Sequence, residues 1–185
     1  MPRRIIDFVR HGAYDGDEGL LTPRGVAQVE LLAARYRAEG GPTEIWASPM
    51  PRARHTGDIL ARALDLKPRS VADLAEGIPT AGGPVAEAWP DLGEDQLSAT
   101  RARFERVLER INKRARGSHK HLVLACHGNV ARYLWLRILG LSDPTWWAMH
   151  IHHASLSRVI VGRRGVRAVR FNDIGHLPPA LQSES

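Results

Sequence analysis

The sequence predicts an α/β fold, a three-layer α/β/α sandwich with a mostly parallel central sheet. Strand-like and helix-like patterns alternate along the 185 residues. Two apolar runs end in the same dipeptide, His-Gly, at 11–12 and at 127–128. No repeat and no linker composition divides the chain, so 1–185 reads as a single domain long enough to bury a full core.

Residues 4–9 read as the first strand. Thr22 is placed as an N-cap, Pro23 takes the first helical position and Gly40–Gly41 stop that helix. A short strand follows at 44–47, then a second helix at 51–66. Segment 67–98 holds four prolines and four glycines and reads as a long irregular excursion, a kind of segment that tends to carry function. In "RARFERVLERINKRAR" (101–116), Phe104, Leu108, Ile111 and Ala115 recur at helical spacing. The outer face of that helix is basic, interrupted by Glu105 and Glu109. "HLVLAC" is an apolar strand, a helix is expected over 129–139, and strands at 155–161 and 166–171 flank the turn "GRRG".

Composition excludes several classes. No apolar run approaches the ~20 residues of a membrane span, and the apolar run after Met1-Pro2-Arg3-Arg4 is too short for a signal peptide. One cysteine excludes an internal disulfide and fits a reducing compartment, so the expected location is cytoplasmic. The net charge of +6 comes from a chain in which 23 of the 26 basic residues are arginine. That bias reflects composition, and the basic helix reads as a solvated face, not as a nucleic-acid surface.

In a parallel α/β sheet, ligands bind beyond the carboxyl ends of the strands. "RHG" (10–12) and "CHG" (126–128) would bring His11 and His127 to one edge, with Arg10 beside them. "SPMPRARHT" adds Arg52 and Arg54 where a loop enters a helix. Arginines crowded around a histidine make sense where an anion binds, and the planar guanidinium fork matches phosphate. The same cations hold imidazole neutral, leaving a ring nitrogen free to attack. Gly12, lacking a Cβ, would let backbone and substrate approach closely.

Phosphoryl transfer then needs a proton for the leaving oxygen. Glu76 in "LAEGIP" leads as that acid, with Asp73, Glu87 and Asp91 as rivals. Neither a metal nor another cofactor is required by this arrangement. "CHGNVAR" offers a competing reading, the C-x5-R spacing of cysteine phosphatases, with Cys126 and Arg132. It leaves Arg10, His11 and Arg52 without a role. "HIHH" (150–153) reads as structural or pocket-lining, with His152 and His153, together with Tyr14, as pocket candidates. His119 and His121 are expected to face solvent. Trp146–Trp147 are expected in the core or at a subunit contact, which makes a homodimer reasonable; a helix start is placed at Ser142 or Asp143.

"VRHG", "LTPRGVAQ", "SPMPRARHT", "LAEG" and "ACHGNVAR" occur in an order that resembles the histidine phosphatases of the phosphoglycerate-mutase superfamily. The likeness covers essentially the whole chain. It implies a phosphoglycerate-mutase-like fold, a phosphohistidine on His11, a phosphate pocket of Arg10, Arg52 and His127, and Glu76 as proton donor. "EGIPTAGGPVAEAWPD", "CHGNVARYLWLRILGL" and "NDIGHLPP" are similar to serine/threonine protein phosphatase members. The implied substrate is therefore a phosphoserine or phosphothreonine protein or peptide, with a small phosphomonoester as the alternative and a non-catalytic phosphate-binding protein as the third class. The resemblance begins after the membrane-anchoring extension of those members and implies no anchoring. "AYDGDEGLL" lacks the asparagine of the mutases and the middle of the chain is short, which favours hydrolysis over mutase chemistry. Arg54 and His55 fall where the family pattern varies and would line the entrance.

Overall fold

The fold is described from a computed structural model covering residues 3–16, 19–113, 119–141 and 146–183. β1 (Arg4–Arg10) runs through the sheet interior because its last five residues are buried on both faces. Next to it lies β4 (Lys120–Cys126), parallel and in register, with Arg4 opposite Lys120 and Arg10 opposite Cys126. β2 (Glu44–Ala47) and the two-residue β3 (Arg69–Ser70) extend the parallel part. On the other side, β5 (Leu156–Gly162) and β6 (Gly165–Asp173) form an antiparallel hairpin, giving the order β3-β2-β4-β1-β5-β6.

Strand alternation sends neighbouring side chains to opposite layers. Val9, Ile45 and Val123 pack with Leu32, Tyr36 and Leu60 of α1 (Pro23–Glu39) and α2 (Pro51–Ala63). Phe8, Trp46, Leu122 and Leu124 face the other way, against Phe104, Val107 and Leu134. These last belong to α4 (Glu94–Ile111) and α5 (Gly128–Ile138). Helices on both faces of a mostly parallel sheet are the predicted architecture.

Several elements differ from expectation. α2 stops at Ala63 and not at 66, because Asp65 turns into the left-handed region at φ 54°. Segment 67–98 is not irregular throughout: it holds β3, a 3-10 turn at Ala72–Leu74, α3 (Pro84–Ala88) and the start of α4. Pro84 opens α3, while Gln96 accepts the Gly93 N–H at 3.2 Å and starts α4 seven residues before the expected position. Leu97 and Thr100 continue the buried stripe of that helix. The expected end of the basic helix at 116, with Ala115, and the helix start at Ser142 or Asp143 lie outside the described residues.

Within β1, the fully buried Asp7 carboxylate is enclosed by donors. Tyr36 Oη lies at 2.9 Å, His121 Nε2 at 2.7 Å, and Arg158 Nε and Nη2 at 2.7 and 2.8 Å. His121 therefore does not face solvent: its Nε2 reaches Asp7, while Nδ1 pairs with the Gly41 carbonyl at 3.0 Å. His119 is exposed, as expected. Trp146 is in the core with Val85 and Leu136, whereas Trp147 is partly exposed beside Gly83.

Candidate active site

The parallel register places three strand ends at one edge. His11 N–H donates to the Cys126 carbonyl at 2.9 Å and Ser48 N–H to the Ala125 carbonyl at 3.0 Å. The residues after β1, β4 and β2 thus meet, with the His11 and His127 rings 5.2 Å apart, centre to centre.

His11 is held in one tautomer. Its Nδ1 lies 2.8 Å from the Gly12 carbonyl, which can only accept, so Nδ1 carries the proton. The lone pair is left on Nε2, where Arg52 Nε donates at 3.1 Å. Burial, followed by the nearby His127, Arg10 and Arg52, holds the imidazole pKa well below its ordinary value. His127 is pushed down to about 3, by burial first and then by Arg52 and Arg10. Its Nε2 meets Ser48 Oγ at 2.8 Å, while its buried Nδ1 has no partner among the described residues.

Arg10, 6% exposed, is clamped by the Ile151 carbonyl at Nη1 (2.5 Å) and by His153 Nε2 at Nη2 (3.1 Å). Its Nε is also buried without a partner among the described residues. Two unpaired buried polar atoms, on Arg10 and on His127, are costly unless a ligand satisfies them. Both belong to residues whose chemistry suits a phosphoryl group.

Glu76 joins this cluster, and its rivals do not. Its carboxylate takes the Gly77 N–H at 3.1 Å and a further backbone N–H from Asn129, just after His127. The residue keeps some accessible surface, yet the atoms crowded round the carboxyl desolvate it and raise its pKa, against the pull of Arg52 and Arg10. Asp73 is tied to Arg106 at 2.8 Å, and Glu87 and Asp91 are exposed. The basic face of α4 also has a definite role. Arg103 donates to the Ala75 and Glu76 carbonyls at 2.8 and 3.4 Å, and Arg101 to that of Pro79 at 3.0 Å. These contacts fasten the loop that presents Glu76.

The pocket candidates divide. The Tyr14 ring lies 5.0 Å from that of His11 and beneath the Arg52 guanidinium at 4.7 Å, so Tyr14 walls the site. His153 is 5.6 Å from His11, ring to ring. His152 instead pairs with Asn172, through Nδ1 at 2.9 Å and its backbone N–H at 2.8 Å. Arg54 is exposed on α2. At Gly12 the close backbone approach is that of α1. A Cβ there would lie 2.5 Å from the Gly25 carbonyl oxygen, so this glycine admits the backbone of α1. Thr56 Oγ1 accepts the Gly12 N–H at 3.2 Å and donates to the Arg52 carbonyl at 2.9 Å, joining the two motifs.

The cysteine reading does not fit. The Cys126 thiol is fully buried, and burial followed by Glu76 pushes its pKa up, away from thiolate. Arg132 bonds Asn129 Oδ1 at 3.2 Å. No group of three or more His, Cys, Asp or Glu able to hold a metal occurs among the described residues. A hollow of about 420 Å³ beside Arg163, Arg164 and Arg167 lies at the opposite end of the sheet, and among the described residues no histidine or carboxylate lines it.

Fold and site together define an α/β protein with paired strand-end histidines set among arginines. The sequence model of the Histidine phosphatase superfamily (branch 1) matches residues 6–78 and 79–174, and the chain belongs to that superfamily. It is similar to the mitochondrial serine/threonine-protein phosphatase PGAM5 of Xenopus tropicalis, 31% identical over 95% of this chain and 66% of that protein. The mouse PGAM5 is 30% identical over 95% of this chain and 65% of its own length. The chain thus spans slightly less than two thirds of these relatives. Among solved structures, alpha-ribazole phosphatase from Shigella flexneri superposes with a TM-score of 0.72 at 17% identity, covering 92% of this chain and 96% of that one. Phosphoserine phosphatase from Entamoeba histolytica gives 0.70 at 16%, covering 95% and 100%. At those identities the likeness is one of fold.

Proposed function

We propose that the chain is a phosphomonoester hydrolase working through a phosphohistidine on His11, with phosphoserine or phosphothreonine in proteins or peptides as substrate. The observation that carries this reading is the fixed His11 tautomer: an unprotonated Nε2, set by the Nδ1 contact to the Gly12 carbonyl, that lies among Arg10, Arg52 and His127. Nε2 attacks phosphorus in line, the N–P bond forms and the ester P–O bond breaks. The leaving alkoxide takes the proton of Glu76, whose raised pKa keeps a protonated fraction available. Water then attacks phosphorus, giving its proton to Glu76, and inorganic phosphate leaves with His11 restored. Arg10, Arg52 and His127 hold the phosphoryl oxygens throughout. The choice of phosphoprotein substrate is supported by the PGAM5 similarity along nearly the whole chain.

The test is acid-free quenching of the enzyme with a labelled phosphopeptide, alongside a kinetic screen of phosphopeptides and small phosphomonoesters. The expected result is a base-stable, acid-labile phosphoenzyme absent from His11→Ala, with kcat/KM favouring phosphopeptides. An acid-stable adduct or no turnover overturns the mechanism; preference for a small metabolite ester overturns the substrate class.

A further inference from the structure

Arg10 is oriented by a chain of side chains that leads away from the histidine pair to a distant part of the sequence. Its Nη2 must donate, so His153 Nε2 accepts at 3.1 Å and the His153 proton sits on Nδ1. That Nδ1 reaches Ser183 Oγ at 3.0 Å, and the His153 backbone N–H donates to the Ser183 carbonyl at 3.2 Å. Ser183 Oγ also accepts from Gln28 Nε2 at 2.8 Å. Gln28, buried within α1, uses its Oε1 to take the Ala13 N–H at 2.8 Å, two residues after His11. Its Nε2 donates to the Leu181 carbonyl as well, at 2.6 Å, and Arg24 secures the Gln182 carbonyl at 2.6 Å.

We propose that His153 is a positioning residue for the phosphate clamp: held in one tautomer by Ser183, it fixes the Arg10 guanidinium so that the unpaired Nε is left for the phosphoryl group. This rests on the assignment of the site as a phosphate pocket. A guanidinium with rotamers to spare loses part of its binding free energy in being ordered, and pre-ordering it removes that cost. The second Arg10 clamp, the Ile151 carbonyl, comes from the same strand-entry segment, and the Ala154 N–H donates to the His11 carbonyl at 3.1 Å. The segment 151–154 is therefore tied to the nucleophile and to its clamp together, and Ser183 braces it from behind.

The experiment measures inorganic phosphate binding by calorimetry, together with kcat and KM for p-nitrophenyl phosphate, in His153→Phe, His153→Gln and Ser183→Ala. Thermal unfolding is followed in each. His153→Phe keeps the ring and removes the acceptor, so phosphate affinity should fall about tenfold, the scale of one hydrogen bond to a charged group. KM should rise more than kcat falls. His153→Gln can present an oxygen to Arg10 and should recover part of the affinity; Ser183→Ala should show a smaller loss. Unchanged phosphate affinity in folded His153→Phe overturns the proposal, as does a loss no smaller in His153→Gln. A wild type that binds phosphate but turns nothing over would overturn the hydrolase reading alone, because the affinity comparison still stands.

Discussion

Arg52 Nε donates to His11 Nε2 across 3.1 Å, so the guanidinium occupies the lone pair that attacks phosphorus in the proposed mechanism. A dianionic phosphoryl group is a far stronger acceptor than a neutral imidazole. On the proposed mechanism, substrate would draw the Arg52 fork onto its own oxygens and free Nε2 as it arrives. The geometry of the fork matters as much as its charge. Arg52→Lys should lower kcat/KM for p-nitrophenyl phosphate by about 100-fold, because an ammonium lacks the rigid planar fork that grips two oxygens in parallel. Retention of more than a third of the activity would show that charge alone suffices.

His11 and Cys126 provide a second comparison. They are close in space, since the His11 N–H bonds the Cys126 carbonyl, yet burial pushes the Cys126 thiol away from thiolate while His11 keeps an unprotonated Nε2. His11→Ala should reduce turnover by about four orders of magnitude or more, while Cys126→Ser, nearly isosteric, should keep most of it. The opposite pattern would transfer the nucleophile to sulfur.

Glu76 is tested by the leaving group. A protonated carboxyl matters most when the departing alkoxide is basic. Glu76→Ala should therefore slow phosphoserine hydrolysis by about 100-fold or more and 2,4-dinitrophenyl phosphate hydrolysis much less. Equal losses on the two esters would remove Glu76 from the acid role. Arg103→Ala, which releases the Ala75 and Glu76 carbonyls, should show the same selectivity in weaker form.

The two motifs before and within α1 meet through their glycines. A Cβ on Gly25 would stand 1.9 Å from the Ala13 carbonyl oxygen, and both neighbours are backbone that cannot swing aside. Gly25→Ala should destabilise the fold by more than about 2 kcal/mol and impair the 11–13 loop with it. A thermal midpoint within a degree of wild type would contradict this contact.

Much of this was legible in the sequence because the informative residues are chemically unusual where they stand. His-Gly at two strand ends, Thr22-Pro23 at a helix start and the alternation at Phe8–Val9 each mark a location without help from tertiary structure. The acid was legible as a set of four carboxylates; only folding separates Glu76, held near Asn129, from Asp73, held by Arg106. Ser48, Gln28, Ser183 and the Ile151 carbonyl carry no such mark. Each is an ordinary polar group that acquires its role when distant segments meet. Ser48 left the faintest trace, as the first residue past a third strand bound for the same edge. His121 was misplaced because the partner that draws it inward, Asp7, lies 114 residues away. The elements inside 67–98 were hidden by proline and glycine, which there begin helices and do not prevent them.

The buried histidines fix the sign of the pH dependence of stability. Burial, the largest cause in each case, lowers His127 to about 3 and both His153 and His176 to about 4. His11 moves the same way. The unfolded chain takes up protons on these rings near pH 6.5, while in the folded chain His153 and His176 refuse them until about pH 4, His127 until about 3, and His11 also to lower pH. Between those values the unfolded state binds more protons, so stability rises with pH and falls as pH is lowered. Glu76 acts in the opposite sense, since its raised pKa lets the folded state hold a proton longer, but it is one group against four. Asp7, with its pKa lowered, loses its stabilising charge only below the ordinary aspartate range, outside this window. The thermal midpoint should therefore drop by roughly 5 °C or more between pH 7.5 and pH 5, a fall measurable by calorimetry in low-phosphate buffer. His176→Asn should reduce the slope without touching the site. A midpoint that stays level or climbs across that range would mean that these imidazoles are charged in the folded protein, and with them the case for a neutral nucleophile at His11 would fail.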